Sequence, residues 1–140
     1  MEWIKAIESA VEYIERHITE DISAAEVADK VYMSPFYFQK GFSMLCGYTV
    51  AEYIRNRRLA LAGSEILTTD TKVIDIALKY GYDSPDAFTK AFIRFHNVSP
   101  RTVRKEKSMI KTFAPLKITR KRVSCKGLDT ILSAPFGNTK

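Results

Sequence analysis

Residues 83–92 read DSPDAFTKAF, and residues 33–42 read MSPFYFQKGF. The two stretches share S-P-x-x-F-x-K-x-F, displaced by 50 positions, with dissimilar residues in the gaps. On a helical wheel at 100° per residue, Phe38, Phe42 and Leu45 gather on one side of the first copy, as Phe88, Phe92 and Phe95 do in the second. Opposite them lie Phe36, Gln39, Lys40 and Ser43 in one copy, and Asp86, Thr89, Lys90 and Ile93 in the other. The shared residues therefore point mostly inward and the differing ones mostly outward. One scaffold used twice, with two unlike outer surfaces, has this pattern.

Working outward, each copy opens on Ser-Pro, and a third such pair stands at Ser99-Pro100. Serine caps a helix, and proline fits the first helical position because its missing N–H has no helical partner there. These starts predict helices from Pro35 to about Cys46, stopped by Gly47, from Pro85 to about His96, and from Pro100 onward. Thr49 and Glu52 have the spacing of a capping box ahead of VAEYIRNRRLALAGSEIL, a helix of about 27 Å whose weak point is Gly63. Ser23 and Glu26 form the same motif before a short helix of about nine residues. Trp3, Ile7, Ala10, Val11, Ile14 and Ile18 repeat every three or four positions as the stripe of an amphipathic first helix. KVIDIALKYG gives one more short helix ending at Gly81. The count is seven helices with no strand before residue 108, an all-α chain.

Beyond residue 108 the helical period is lost. Basic residues stand at 111, 117, 120, 121, 122, 126 and 140 against a single Asp129. Between a mobile tail and the start of a short strand, we favour the tail. The domain reading is one unit over residues 1–107, with halves at about 1–48 and 68–107 and a linker helix over about 50–67. Residues 108–140 are then a basic tail or the truncated start of another domain.

Composition bounds the function. The chain has 140 residues, 46% of them hydrophobic, and a formal net charge of +6. Residues 1–33 hold three Lys/Arg against eight Asp/Glu, so the remaining 107 residues carry 19 against 8. An acidic end with a basic remainder suits a phosphate backbone or an anionic surface, although such charge also serves plain solubility. No apolar run nears the roughly 20 residues of a membrane span, and the amino terminus lacks a signal-peptide core, so a cytoplasmic protein is expected. The two cysteines, Cys46 and Cys125, form no C-x-x-C motif, and we read both as reduced thiols. No metal site or cofactor motif is present, and no nucleophile-base pair or phosphate loop points to an enzyme. His17 and His96 are read as surface or capping residues.

A short helix with a central alanine, a turn and a second helix with an exposed polar face is the helix-turn-helix pattern. Ala28 and Ala77 are the small residues before the two turns. Gln39 suits adenine, Lys40 and Lys90 suit guanine or phosphate, and Thr89 suits a base edge or a thymine methyl. Asp86 either accepts from cytosine or complements the positive end of its own helix.

These residues resemble the AraC/XylS transcription regulators. IDIALKYGYDSPDAFTKAFIRFHNVSPRTVRK is close to that family's signature A-x-x-x-G-[FY]-x-[DS]-x-x-x-F-x-[RK]-x-F-[RK]-x-x-x-G-x-[ST]-P-x-x-[FY]-R, and the likeness covers about residues 5–106. Tyr32 stands where glycine is frequent in the first turn, Asn97 replaces a glycine, and Val103 replaces an aromatic. Because the unit starts at the amino terminus, the chain is similar to the MarA, SoxS and Rob subset, and MIKTFAPLKIT resembles the entry to the effector domain of Rob-like members. The resemblance implies two helix-turn-helix halves on a long helix, read as a monomer, with double-stranded DNA as partner and RNA polymerase as a second contact of an activator. By the same resemblance Phe36, Gln39, Lys40, Asp86, Thr89 and Lys90 face bases, while Ser43, Thr49, Arg55, Arg94, Ser99 and Arg101 meet the backbone through side chains or helix N-termini. The competing reading is a protein-interaction or sequestration module with vestigial DNA binding.

Overall fold

Local capping sets the element boundaries in the computed structural model, which describes residues 3–118 and 123–125. Seven helices follow one another: α1 Trp3–Arg16, α2 Ala24–Lys30, α3 Pro35–Cys46, α4 Val50–Thr68, α5 Val73–Lys79, α6 Pro85–His96 and α7 Pro100–Glu106. Ser34, Ser84 and Ser99 each accept a hydrogen bond from the backbone N–H three residues on, and proline fills the next position. The Thr49–Glu52 box closes in both directions, at 3.0 and 2.9 Å. The Ser23–Glu26 box closes in one direction only. Ser23 Oγ accepts from the Glu26 N–H, but the Glu26 carboxylate accepts from the Tyr13 hydroxyl and so ties α2 to α1.

The first half packs α1 on α2 and α2 on α3, and α4 carries α5, α6 and α7 of the second half. Ala28 and Ala77 are fully buried and let each helix pair close up. The two turns reach one geometry by different lengths of chain: six positions separate Ala28 from Ser34, and seven separate Ala77 from Ser84. In both, the alanine carbonyl accepts a turn bond from the N–H five residues on, Met33 in one and Tyr82 in the other. Gly81 at φ 89° and Tyr32 at φ 63° hold the equivalent left-handed positions. Asn97 takes the left-handed C-cap of α6, as its short side chain permits.

Aromatic rings run through both halves as one connected series. Phe38 meets Phe42, Phe42 meets Tyr53, and Tyr53 meets Phe113, with centroids 5.7 to 5.9 Å apart. Phe113 then touches Phe95 at 6.4 Å, and His96, Phe92, Phe88 and Tyr82 continue into the second half. Phe113 is the joint of that series.

A mobile tail from residue 108 is therefore not what the structure holds. Phe113 is 2% exposed and Leu116 is 6% exposed. The Phe113 carbonyl accepts from Arg57 Nη1, the Leu116 N–H donates to the Tyr53 hydroxyl, and the Lys111 N–H donates to His96 Nδ1. Residues 108–118 leave α7 and run back to α1 as a strap. Leu116–Ile118 is strand β1, paired antiparallel with β2 at Val123–Cys125, Leu116 opposite Cys125. The fold remains all-α apart from this small ladder, and the rest of the expected tail, 119–122 and 126–140, lies outside the described residues. The strap has no helical period because its apolar residues fill gaps between helices rather than line a face.

His96 also departs from expectation. It is 6% exposed, with Nε2 donating to the Leu59 carbonyl at 2.8 Å and Nδ1 accepting from Lys111 at 3.0 Å. Both nitrogens are used only in the neutral ring. Burial holds the imidazole below its ordinary value, with the Lys111 charge acting the same way and the Leu59 carbonyl opposing. The ring lies against Gly63, where a Cβ would come within 2.6 Å of Nε2. The glycine inside α4 is thus a close-approach site, and the helix passes through it unbroken.

Candidate nucleic-acid interface

Each second helix of a pair presents the outer surface that the wheel predicts. On α3, Phe36 is 76% exposed, Gln39 and Lys40 are exposed, and Ser43 is half-buried. Lys40 Nζ lies 5.8 Å over the Phe36 ring, so this ridge is a cation on an aromatic plate with an amide beside it. On α6, Asp86 and Lys90 are exposed and Thr89 is half-buried. Asp86 pairs with Lys90 at 3.3 Å, one turn apart. An exposed pair of this kind is worth about 0–1 kcal/mol, so either group can exchange its partner at little cost.

The six residues expected at the backbone fall into four settings, with Ser99 in two of them. Thr49 and Ser99 spend their hydroxyls on caps, Thr49 with Glu52 and Ser99 with Thr102, so an anion there would meet first-turn N–H groups. Ser99 and Arg101 share a groove of about 440 Å³ with Thr89, between α6 and α7. Arg55 and Arg94 share another of about 190 Å³ between α4 and α6. Ser43 stands apart from these, on α3 with its carbonyl bonded by the Gly47 N–H. Base-facing and backbone-facing candidates of the second half are therefore neighbours around α6.

Sequence reasoning passed over two arginines of the run RNRR at 55–58. Arg57 is 7% exposed and makes a two-pronged bond to Glu15 of α1, 2.7 Å on each side. Arg58 donates to the carbonyls of Ile18 and Glu20 at 2.9 and 2.6 Å, and its guanidinium lies beside Gly81 of the second turn. Arg57 was legible in part, since it falls at helical spacing from Tyr53 and Ala60 on the buried face of α4. Among the described residues no group of His, Cys, Asp and Glu could hold a metal ion, and no helix is long and apolar enough to cross a membrane.

A family described as a helix-turn-helix domain matches residues 27–106. The chain is 38% identical over 104 residues to the HTH-type transcriptional regulator YbfP of Bacillus subtilis, covering 74% of this chain and 35% of that protein. It is 37% identical over 98 residues to the regulatory protein SoxS of Salmonella typhimurium, covering 70% of this chain and 92% of SoxS. Against the transcriptional activator AarP of Providencia stuartii it is 37% identical over 92 residues, 66% of this chain and 68% of AarP. The chain thus spans about a third of YbfP and nearly all of SoxS. Among solved structures, an AraC-type regulator from Chromobacterium violaceum superimposes with a TM-score of 0.70 at 24% identity, over 75% of this chain and 94% of that one. The DNA-binding domain of AdpA, solved in complex with a target DNA, gives 0.67 at 26% identity over 72% and 91%. With paired turns, the bridging helix and these relatives in accord, the chain belongs to the AraC/XylS family of DNA-binding transcription regulators and is similar to its SoxS-like members.

Proposed function

We propose that the chain reads an asymmetric duplex site as a monomer, with α3 and α6 entering successive major-groove segments. The observation that carries this reading is the contrast between two like cores and two unlike exposed ridges, Phe36, Gln39 and Lys40 against Asp86, Thr89 and Lys90. Groove segments on one side of a duplex recur every 34 Å or so. Heads held at a fixed angle by α4 and the aromatic series favour a bent duplex, at a cost of about 1–6 kcal/mol offset by the second set of contacts. Each good base contact contributes about 1–3 kcal/mol of discrimination. Ser43, Thr49, Arg55, Arg94, Ser99 and Arg101 set the register on phosphates.

We further assign the chain an activating role in the cytoplasm, by likeness to SoxS and AarP. RNA polymerase would meet the exposed acidic side of α1, where Glu8 and Glu12 remain outward while Glu15 is committed to Arg57. Selection from a random duplex pool tests the reading. The expected product is a two-part, non-palindromic consensus bound about a thousandfold or more over unrelated DNA at fixed salt. Lys40→Ala and Lys90→Ala should then weaken protection of opposite halves of the footprint. A palindromic consensus, or the same footprint change from both variants, overturns the two-headed monomer. A chain that ignores DNA but retains a protein partner supports the sequestration reading instead.

A further inference from the structure

The α4–α6 cleft contains a cation that lies beyond the family match, which ends at residue 106. Lys111, on the strap, lines the cleft with Arg55 and Asn56 of α4 and Ala91, Arg94 and Phe95 of α6. Three positive charges and one amide thus share a space of about 190 Å³ with no acidic side chain in its lining. Among the described residues, none of the three cations forms an ion pair with a carboxylate. Converging like charges repel one another, and the arrangement becomes favourable when an anion enters.

Lys111 is also held in place. Its N–H donates to the buried His96 Nδ1 at 3.0 Å, and its Nζ lies 4.7 Å over the Phe95 ring. Arg94, the neighbouring cation, follows Lys90 by one turn, so the cleft opens on the flank of the ridge assigned to base reading. DNA whose groove accepts α6 must carry one of its phosphate strands past this flank.

We propose that the cleft receives a phosphodiester of the bound duplex, and that Lys111 and Asn56 join Arg55 and Arg94 as backbone contacts. This inference rests on the reading of α6 as a recognition helix. The strap then has two roles, filling the joint between the halves with Phe113 and delivering a charge to DNA with Lys111. Asn56 supplies a donor that leaves the total charge unchanged.

The test uses the full chain and its Lys111→Gln variant, which keeps the backbone bond to His96. Lys117→Gln, an exposed change on β1 outside the cleft, is the control. Affinity is measured against salt for the selected duplex and for a scrambled one. Losing one phosphate contact should lower the slope of log K against log salt by about 0.9. Lys111→Gln should do so on both duplexes, weakening them by a common factor and leaving their ratio intact, while Lys117→Gln changes neither.

An unchanged slope with Lys111→Gln, in a wild type that discriminates the duplexes, overturns the cleft and leaves the two-headed reading standing. A reduced slope in a wild type that binds both duplexes equally keeps the cleft and overturns the reading. Absence of binding to either duplex overturns both. A change in the ratio for Lys111→Gln overturns the assignment to the backbone, because a phosphate contact carries no sequence information.

Discussion

Replacing Phe113 by alanine isolates the contribution of the strap. The ring is 2% exposed and touches Tyr48, Tyr53 and Phe95 at centroid distances of 5.3, 5.9 and 6.4 Å. Buried Phe→Ala changes cost about 3–5 kcal/mol through lost transfer energy and the cavity left behind. Ring pairs add about 0.5–1.5 kcal/mol beyond area in favourable geometry. The Phe113 carbonyl, which accepts from Arg57, belongs to the backbone and survives the change. We therefore expect a loss of about 3–5 kcal/mol, a large share of the roughly 5–15 kcal/mol that a domain possesses. Urea unfolding followed by far-ultraviolet circular dichroism is the assay, because Phe113 lies outside every helix and the helices dominate the signal. A single transition shifted to lower urea with an unchanged slope is the expected result. A loss below about 1 kcal/mol would show that the strap does not share the helical core, and the argument for a fixed angle between the halves would fail with it.

Three further outcomes follow from the same packing. Gly63→Ala gains about 1 kcal/mol of helix propensity but drives a Cβ to 2.6 Å from His96 Nε2. Overpacking of about 1–3 kcal/mol and two displaced hydrogen bonds make the net effect destabilising, and His96→Ala in the same chain should relieve it; calorimetry that finds Gly63→Ala stabilising refutes the close approach. Tyr32→Gly should stabilise by about 0.5 kcal/mol, since the left-handed backbone costs a side chain about 1–2 kcal/mol, glycine returns about 0.5–1 in unfolded-state entropy, and a residue 93% exposed has little packing to lose. A lower denaturation midpoint contradicts this. For His96 the folded pKa is depressed, so the unfolded chain takes up the proton first. Its contribution is complete above the ordinary value near 6.5 and is lost as pH falls from there through the folded value. Stability measured from pH 7.5 down to 5 should decline more steeply in the parent than in His96→Gln, and parallel curves would exclude the neutral, doubly bonded ring.

What could be read from the sequence was whatever the chain settles within a few residues. Ser-Pro starts, the Thr49 box, Gly47 and the Phe spacing of the repeat each depend on neighbours at most four positions away, and all appear in the structure. Glu26 shows where that logic ends. Its spacing from Ser23 satisfies a capping box, yet its carboxylate faces Tyr13 across the helix pair, a choice fixed by packing. Phe113, His96 and Arg57 were misread or passed over for the same reason, since their hydrogen-bond partners stand 15 to 56 positions distant or carry no pattern of their own. For the interface, the outward residues of α3 and α6 followed from periodicity. The grouping of Thr89 with Ser99 and Arg101, and of Arg55 with Arg94, required the tertiary arrangement.

Arg57 makes the autonomous folding fragment larger than the stretch by which relatives are found. Its guanidinium is neutralised by Glu15, upstream of the matched residues 27–106, and is capped by the Phe113 carbonyl, downstream of them. Excising the matched stretch alone would remove both of these partners, and breaking a buried pair by removing one member costs about 3–5 kcal/mol. Any minimal version of this protein must therefore retain both flanks, and a boundary drawn by homology would cut through the bond that closes the bundle.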